Sequence, residues 1–81
     1  MNQDNNDLTI FWRPGCGFCM ALDRQLSTSD LQITYRNIWE APEAAAFVRD
    51  HANGNEVVPT VKIGDVVLVN PSAEQVLSQT I

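Results

Sequence analysis

Two cysteines separated by two residues, Cys16 and Cys19 in the segment C-G-F-C, are the residues of this chain best suited to chemistry. They are the only cysteines in the sequence. Such a pair can form a redox couple, half of a metal site or a structural disulfide. The thiolate form of cysteine is both the nucleophile and the metal ligand, so the place of the pair in the fold decides among these functions.

The pair lies where a strand is predicted to end and a helix to begin. Residues 8–12, LTIFW, are apolar and rich in β-branched and aromatic side chains, which favours a strand buried on both faces. Apolar residues then recur at helical spacing, which predicts an amphipathic helix over about residues 16–28. Cys16 is therefore expected at the helix N-terminus, where unpaired N–H groups and the helix dipole stabilise a thiolate.

This placement predicts different roles for the two thiols. Cys16 is expected to be the nucleophile. Cys19 lies one helical turn further on, where it can attack a mixed disulfide on Cys16 and release the bound partner as the resolving thiol. Arg13, three residues before Cys16, adds positive charge close to the pair.

The other two functions of the cysteine pair fit less well. A structural metal site needs about four ligands, and this chain has two cysteines and one histidine, His51, which is predicted at the end of a different helix. A zinc or iron–sulfur site shared between two chains stays open as an alternative. A disulfide between neighbours this close in sequence would constrain the unfolded chain little, which disfavours a purely structural role.

The remaining pattern predicts three more strands and two more helices. The order βαβαββα implies a parallel first strand pair and a mixed sheet, because the last two strands form a hairpin. Tyr35 and Trp39 are expected to pack at the edge of that sheet. The predicted elements are a strand over 33–38, a helix from Pro42 capped near Asn53-Gly54, strands over 57–63 and 66–70 joined at Gly64-Asp65, and a helix over about 70–81 with a capping box at Ser72.

Pro59 lies inside an apolar strand pattern, where proline is normally excluded. One explanation is a cis Val58–Pro59 bond at the start of the strand, which is uncommon and usually serves a purpose. A turn there would present the backbone N–H and C=O of Val58 outward, where an extended substrate could pair with them. The other explanation is an edge-strand proline without a role, and the sequence leaves both open.

Composition limits the function further. The chain has 81 residues, enough for one domain, with 44% hydrophobic and 19% charged residues. The formal charge is −5 and the five basic residues are dispersed, which argues against nucleic acid as a partner. No apolar run is long enough to cross a membrane. Residues 1–7 are predicted to form a disordered arm; they lack the pattern of a secretory signal, so a cytoplasmic location is expected.

The chain resembles the glutaredoxins of the thioredoxin superfamily over residues 8–81. The resemblance rests on CGFC after the first strand, VPTV at the third and the hairpin KIGDVVLVN. It implies one α/β domain with the thioredoxin fold, a four-stranded mixed sheet and three helices. It also implies that Cys16 is the nucleophile and Cys19 the resolver, that Pro59 is cis, and that Val58 binds the backbone of the substrate cysteine.

The departures from the family pattern point to one branch of it. Glutathione-binding glutaredoxins usually carry a Gly-Gly turn before the last helix, whereas this chain has V-N-P-S-A-E-Q, in which Pro71 removes an N–H. That segment, with C-G-aromatic-C, is similar to the mycoredoxins, actinobacterial redoxins that use mycothiol. A polar edge of Asn70 and Ser72 suits the hydroxyls of mycothiol. Arg13 matches a lysine that contacts a thiol cofactor's carboxylate in many glutaredoxins, and Phe18 is expected to be exposed beside the thiols, able to contact a partner.

The resemblance implies a thiol–disulfide oxidoreductase that reduces mixed disulfides between client proteins and a low-molecular-weight thiol. Mycothiol is the expected reducing co-substrate, ahead of glutathione, and no bound cofactor or metal is expected. One alternative is an NrdH-type redoxin reduced by thioredoxin reductase, so that a flavin-dependent disulfide reductase is a further possible partner. The other alternative is a metal- or cluster-bridged dimeric binding module, whereas the redox hypothesis expects a metal-free monomer.

Overall fold

Four strands and three helices follow one another in the predicted order. The computed structural model describes residues 7–80. The elements are β1 (Asp7–Trp12), α1 (Gly17–Leu26), β2 (Gln32–Asn37), α2 (Pro42–His51), β3 (Thr60–Ile63), β4 (Val66–Val69) and α3 (Ala73–Leu77).

The strands form one mixed sheet in the order β2-β1-β3-β4. Strand β1 is parallel to β2 and antiparallel to β3, and β3 and β4 form the predicted hairpin. The predicted thioredoxin fold is thereby confirmed. Trp12 lies opposite Asn37, so β1 and β2 end together and the segments that follow them leave from the same edge of the sheet.

The sheet separates two hydrophobic clusters. Because side chains alternate along a strand, Ile10 of β1 faces one cluster and its neighbour Phe11 faces the other. This burial on both faces is what the continuous apolar run of β1 predicts. The cluster beneath α1 and α3 contains Leu8, Ile10, Leu22, Leu26, Val61, Ile63 and Val76, and the cluster beneath α2 contains Phe11, Ile38, Ala44, Ala45 and Val48.

Strand β3 is shorter than the predicted strand over 57–63, because it starts only at Thr60. Proline has no N–H to contribute to the sheet, so pairing begins after Pro59. The Val58–Pro59 bond is cis, which confirms the first of the two explanations for this proline. Thr60 is fully buried, and its hydroxyl donates to the Val57 carbonyl over 2.8 Å, which ties the segment before the proline to the sheet.

Two helices are also shorter than predicted. Helix α3 spans five residues, Ala73–Leu77, in place of about 70–81, and α1 ends at Leu26. After α1, the Ser27 hydroxyl donates to the Arg24 carbonyl, and after α3 the Ser78 hydroxyl donates to the Gln75 carbonyl. Serine side chains of this kind compete for backbone groups and favour helix ends.

The predicted N-terminal arm, residues 1–7, lies outside the described residues apart from Asp7, with which β1 begins. Among the helices of residues 7–80, none is long and apolar enough to cross a membrane.

Candidate active site

Cys16 is the N-cap residue of α1. Its backbone is extended, with φ −90° and ψ 102°, and its sulfur accepts a hydrogen bond from the Cys19 backbone N–H over 3.1 Å. That N–H is one of the four that a helix start leaves without an intrahelical partner. Cys16 and Cys19 are both buried, with exposed fractions of 6% and 4%. The predicted position at the helix N-terminus is therefore confirmed, and the amide that a thiolate would use is already in contact with the sulfur.

The two cysteines are joined as a disulfide. Their Cα atoms are 5.2 Å apart, inside the usual range for a disulfide. The turn that begins α1 can therefore hold the pair in the oxidised form that thiol–disulfide exchange requires.

The Val58 carbonyl oxygen is a second backbone group close to Cys16, 3.7 Å from its sulfur. In the dithiol form, a Cys16 S–H at this position can donate to that oxygen. Both backbone groups of Val58 were expected to face outward, whereas its carbonyl oxygen lies next to the Cys16 sulfur. Val58 is half-buried and Pro59 is buried.

A cavity of about 180 Å³ opens beside this turn. Its lining includes Phe18, which lies between the two cysteines in the sequence, and Pro59, the neighbour of Val58. None of the side chains lining it is charged. The lining consists of Phe18, Ala21, Leu22, Gln25, Pro59, Asn70, Pro71, Ser72 and Ala73.

Four of the predicted substrate-binding residues line this cavity: Phe18, Pro59, Asn70 and Ser72. Phe18 is 75% exposed, as expected. Gln25 also lines the cavity and was not predicted from the sequence. Its spacing of seven residues from Phe18 places both on one face of α1, so helical periodicity could have identified it.

Asn70 joins the floor of the cavity to the proline turn. Its backbone N–H donates to the Pro59 carbonyl over 2.8 Å. Its φ is +52°, a left-handed conformation that asparagine adopts more readily than most residues. This conformation turns the chain from β4 toward α3 and keeps the side of the cavity opposite α1 in place.

Ser72 caps α3 at the cavity wall. Its hydroxyl accepts from the Gln75 N–H over 3.1 Å, and its own N–H donates to the Gln75 side chain over 2.8 Å, so the predicted capping box is confirmed. These N–H groups are therefore not free for an anionic ligand. The preceding residue, Pro71, has none to offer.

Arg13 and Val58 do not line the cavity. The Arg13 guanidinium lies over the indole of Trp39, 5.7 Å from the ring centroid, and donates to the Pro14 carbonyl over 3.2 Å. Trp39 is 64% exposed, so the prediction that it packs at the sheet edge was wrong. The turn after β2 carries it beyond the sheet, toward the segment that precedes Cys16.

Among residues 7–80, Tyr35 and Glu43 have perturbed pKa values, and neither lines the cavity. The hydrogen bond from Tyr35 to the Asp23 carboxylate, with smaller effects of burial and of the Asp23 charge, raises the pKa of Tyr35 to about 12. A backbone hydrogen bond at the start of α2, followed by the contact with Arg36, lowers the pKa of Glu43. Both groups stabilise contacts between elements away from the cysteines.

Within residues 7–80, no group of three or more histidine, cysteine or acidic side chains could hold a metal ion. His51 lies at the exposed end of α2, where its Nδ1 is 2.9 Å from the Phe47 carbonyl oxygen and its ring packs on the Phe47 ring.

The mixed sheet, the C-x-x-C turn at the start of a helix and the cis proline beside it define a thioredoxin-fold thiol–disulfide oxidoreductase. The family model for glutaredoxin matches residues 8–68. The chain therefore belongs to the glutaredoxin family, whose members act on thiols and on disulfide-bonded clients.

Individual relatives agree with this assignment. Two curated proteins of Mycobacterium tuberculosis, from strains CDC 1551 and H37Rv and named provisionally as glutaredoxins, are each 36% identical over 75 residues. The match covers 91% of this chain and 89% of theirs. The structure is similar to that of the glutaredoxin-like protein NrdH-redoxin from Escherichia coli, with a TM-score of 0.75 and 26% identity over 89% of this chain and 92% of that one.

More distant structures share the fold. A glutaredoxin from Brucella melitensis has a TM-score of 0.66 at 22% identity, covering 89% of this chain and 75% of its own. The holo form of glutaredoxin C1 from Populus tremula x tremuloides has a TM-score of 0.62 at 19% identity, covering 89% and 71%.

Proposed function

We propose that this glutaredoxin-family enzyme reduces mixed disulfides between client proteins and mycothiol, with mycothiol as its reducing co-substrate. The Cys16 thiolate attacks the mycothiol sulfur of the mixed disulfide. A Cys16–mycothiol disulfide forms, the client's sulfur–sulfur bond breaks, and the client leaves as a thiolate that takes up a proton.

Two routes return Cys16 to its reduced form. In the first, the thiolate of a second mycothiol attacks the adduct, releasing mycothiol disulfide and the Cys16 thiolate. In the second, Cys19 loses its proton and attacks Cys16, so that mycothiol leaves and the Cys16–Cys19 disulfide forms. Two further mycothiol molecules then reduce that disulfide and are oxidised to mycothiol disulfide. Only the second route needs Cys19.

The observation that carries the proposal is a cavity without charged side chains beside the nucleophile. Gln25, Asn70 and Ser72 contribute amide and hydroxyl groups to its wall, and Phe18 and Pro59 contribute apolar surface. Mycothiol has a sugar–inositol body rich in hydroxyls, which pair with neutral polar groups of this kind. Polar groups placed among apolar ones are the usual composition of small-molecule sites.

The same wall is a poor site for the γ-glutamyl carboxylate of glutathione. Burying a carboxylate without a cation or several N–H donors is unfavourable. At the start of α3, Pro71 has no N–H, and the Ser72 N–H is taken by the Gln75 side chain. The resemblance to two proteins from Mycobacterium, an actinobacterial genus, also supports mycothiol over glutathione.

A second candidate function is favoured by the similarity to NrdH-redoxin, a glutaredoxin-like protein described as having a thioredoxin-like activity profile. In this candidate, thioredoxin reductase, a flavin-dependent enzyme, reduces the Cys16–Cys19 disulfide directly. A cytoplasmic location fits both candidates, because that compartment keeps thiols reduced.

Parallel reductase-coupled assays separate the candidates. The reduced protein is given a mycothiol-mixed disulfide and is recycled by mycothiol, by glutathione or by thioredoxin reductase. We expect sustained turnover with mycothiol and little with glutathione. Turnover with thioredoxin reductase alone would replace the proposal with the second candidate.

A charge placed in the cavity tests where the small thiol binds. Gln25→Glu replaces an amide donor by an acceptor, and we expect the KM for the mycothiol-mixed disulfide to rise roughly fivefold, the effect of one lost hydrogen bond. Gln32→Glu makes the same charge change on the exposed edge strand β2 and serves as the control. Equal effects of the two substitutions would show that the cavity is not the binding site.

A further inference from the structure

We propose that Arg13 and Trp39 form a recognition platform for an acidic residue of the client protein, close to its target cysteine. This inference rests on the proposed function, in which Cys16 acts on a mixed disulfide with a client. It assigns the two halves of that substrate to two different surfaces: the small thiol to the cavity, and the client to the platform.

The platform lies at the same edge of the sheet as the nucleophile. Arg13 follows the last residue of β1, and Trp39 follows β2 by two residues. The parallel strands end in register, and the Ile38 N–H donates to the Trp12 carbonyl over 2.9 Å, so the two following segments stay together. Neither platform residue lines the cavity, so the platform is a separate surface.

Arg13 forms no salt bridge among the described residues. Two other arginines do: Arg36 pairs with Glu43, and Arg49 pairs with Glu56 over 2.6 Å. The Arg13 guanidinium instead lies over an aromatic face and gives one hydrogen bond to Pro14. A guanidinium has five N–H donors in a fork that matches a carboxylate, so donors remain for a partner.

Trp39 restricts the motion of the Arg13 guanidinium, and its own ring stays exposed. Stacking on the indole restricts a long side chain that would otherwise lose conformational entropy on binding. The ring is 64% exposed, a large apolar surface for a protein of this size to leave in water. Tryptophan and arginine are the residues most often found to dominate binding at protein interfaces.

The unpaired charge of Arg13 indicates the class of partner. The protein carries a formal charge of −5, so an acidic client is repelled at long range and is attracted at short range where a cation without an acidic neighbour is presented. Arg13 is such a cation, three residues before Cys16 in the chain. In this proposal the client carboxylate binds Arg13 and the small thiol occupies the cavity, so that Cys16 attacks the small-thiol sulfur and the client leaves.

The test compares two peptides that each carry one cysteine in a mixed disulfide with the same small thiol. Aspartate flanks the cysteine in one peptide and asparagine in the other. Pre-reduced protein is mixed with each peptide in single turnover, which needs no recycling thiol, so the result does not depend on whether mycothiol or a reductase is the donor. We expect the acidic peptide to react about fivefold faster, as for an exposed charge pair with good geometry.

Variants identify the groups responsible. Arg13→Gln and Trp39→Leu should each bring the ratio of the two rates close to one, whereas Trp39→Phe should retain most of it because a ring remains beneath the guanidinium. Arg24→Gln removes the same charge from an exposed site on α1 and should leave the ratio unchanged. Raising the salt to 0.5 M should reduce the ratio in the unsubstituted protein.

Three results would overturn the inference. The unsubstituted protein could react equally with both peptides, Arg24→Gln could lower the ratio as much as Arg13→Gln, or Trp39→Leu could retain the full ratio. Circular dichroism and the thiol count of each variant show that it is folded and reduced. For each variant, the rate with the acidic peptide is divided by that variant's own rate with the asparagine peptide. A general loss of activity lowers both rates equally and leaves this ratio unchanged.

Discussion

The backbone N–H of Cys19 points at the sulfur of Cys16 across 3.1 Å. In the proposed mechanism Cys19 therefore has two roles. Its backbone N–H stabilises the Cys16 thiolate, and its thiol displaces the group that is bound to Cys16. The extended backbone of Cys16, followed by the helical turn of α1, produces this arrangement.

The two thiols should not be equivalent in the reaction. Cys16→Ser should abolish reduction of a mixed disulfide, because no nucleophile remains at the helix start. Cys19→Ser keeps the backbone N–H and should retain the route that a second small thiol resolves, while losing the intramolecular disulfide. Mass spectrometry of the trapped adduct and steady-state rates measure both effects; an adduct on Cys19 would contradict the assignment.

Cys16 should ionise more readily than a free thiol. The Cys19 N–H and the start of α1 favour its thiolate, so we expect the pKa of Cys16 in the reduced protein to lie below the ordinary thiol value of about 8.5. The rate of alkylation by iodoacetamide against pH measures it in Cys19→Ser. The matched measurement on Cys19 uses Cys16→Ser. A midpoint near the ordinary value for Cys16, or faster alkylation of Cys19, would disprove the role of the helix start.

The Ser72 side chain should have two effects that substitutions can separate: it stabilises α3, and it keeps the cavity wall uncharged. Ser72→Ala removes the N-cap and should lower the free energy of unfolding by about 1 kcal/mol. Ser72→Asp keeps a capping oxygen and should preserve stability, but it adds a charge to the cavity wall and should raise the KM for the small-thiol substrate. Urea unfolding and kinetics distinguish the two effects. If Ser72→Ala and Ser72→Asp were equally destabilised, loss of the helix cap would not explain the lower stability of Ser72→Ala.

The pKa of Tyr35 should be about 12 in the folded protein, against the ordinary tyrosine value of 10.0. It is the only tyrosine, so absorbance at 295 nm reports it alone. Because its pKa is raised on folding, the contact with Asp23 stabilises the protein below pH 10 and that contribution is lost as the pH rises from 10 to 12. The contribution is small, because Tyr35 is half exposed.

Asp23→Asn should return the pKa of Tyr35 toward its ordinary value, with Asp30→Asn as the control of equal charge. A titration midpoint that does not move in Asp23→Asn would show that the carboxylate is not the cause.

Local patterns predicted much of this molecule. The strand before Cys16 and the helix after it follow from the spacing of apolar residues over a few turns, and the cap at Ser72 follows from the residue three positions on. The ends of elements were predicted less well: β3 starts only after Pro59, and α3 spans five residues, because proline and serine side chains change backbone pairing at single positions.

The order of elements and the position of the cysteine pair were therefore already decided by the sequence, since both depend on neighbours close along the chain. Only the tertiary structure brought Gln25 of α1 to the same cavity as Asn70, and Arg13 onto the ring of Trp39. These contacts join residues far apart in the chain. They exist because β1 pairs in register with β2 and because α1 and α3 pack on the same face of the sheet, which no local pattern specifies.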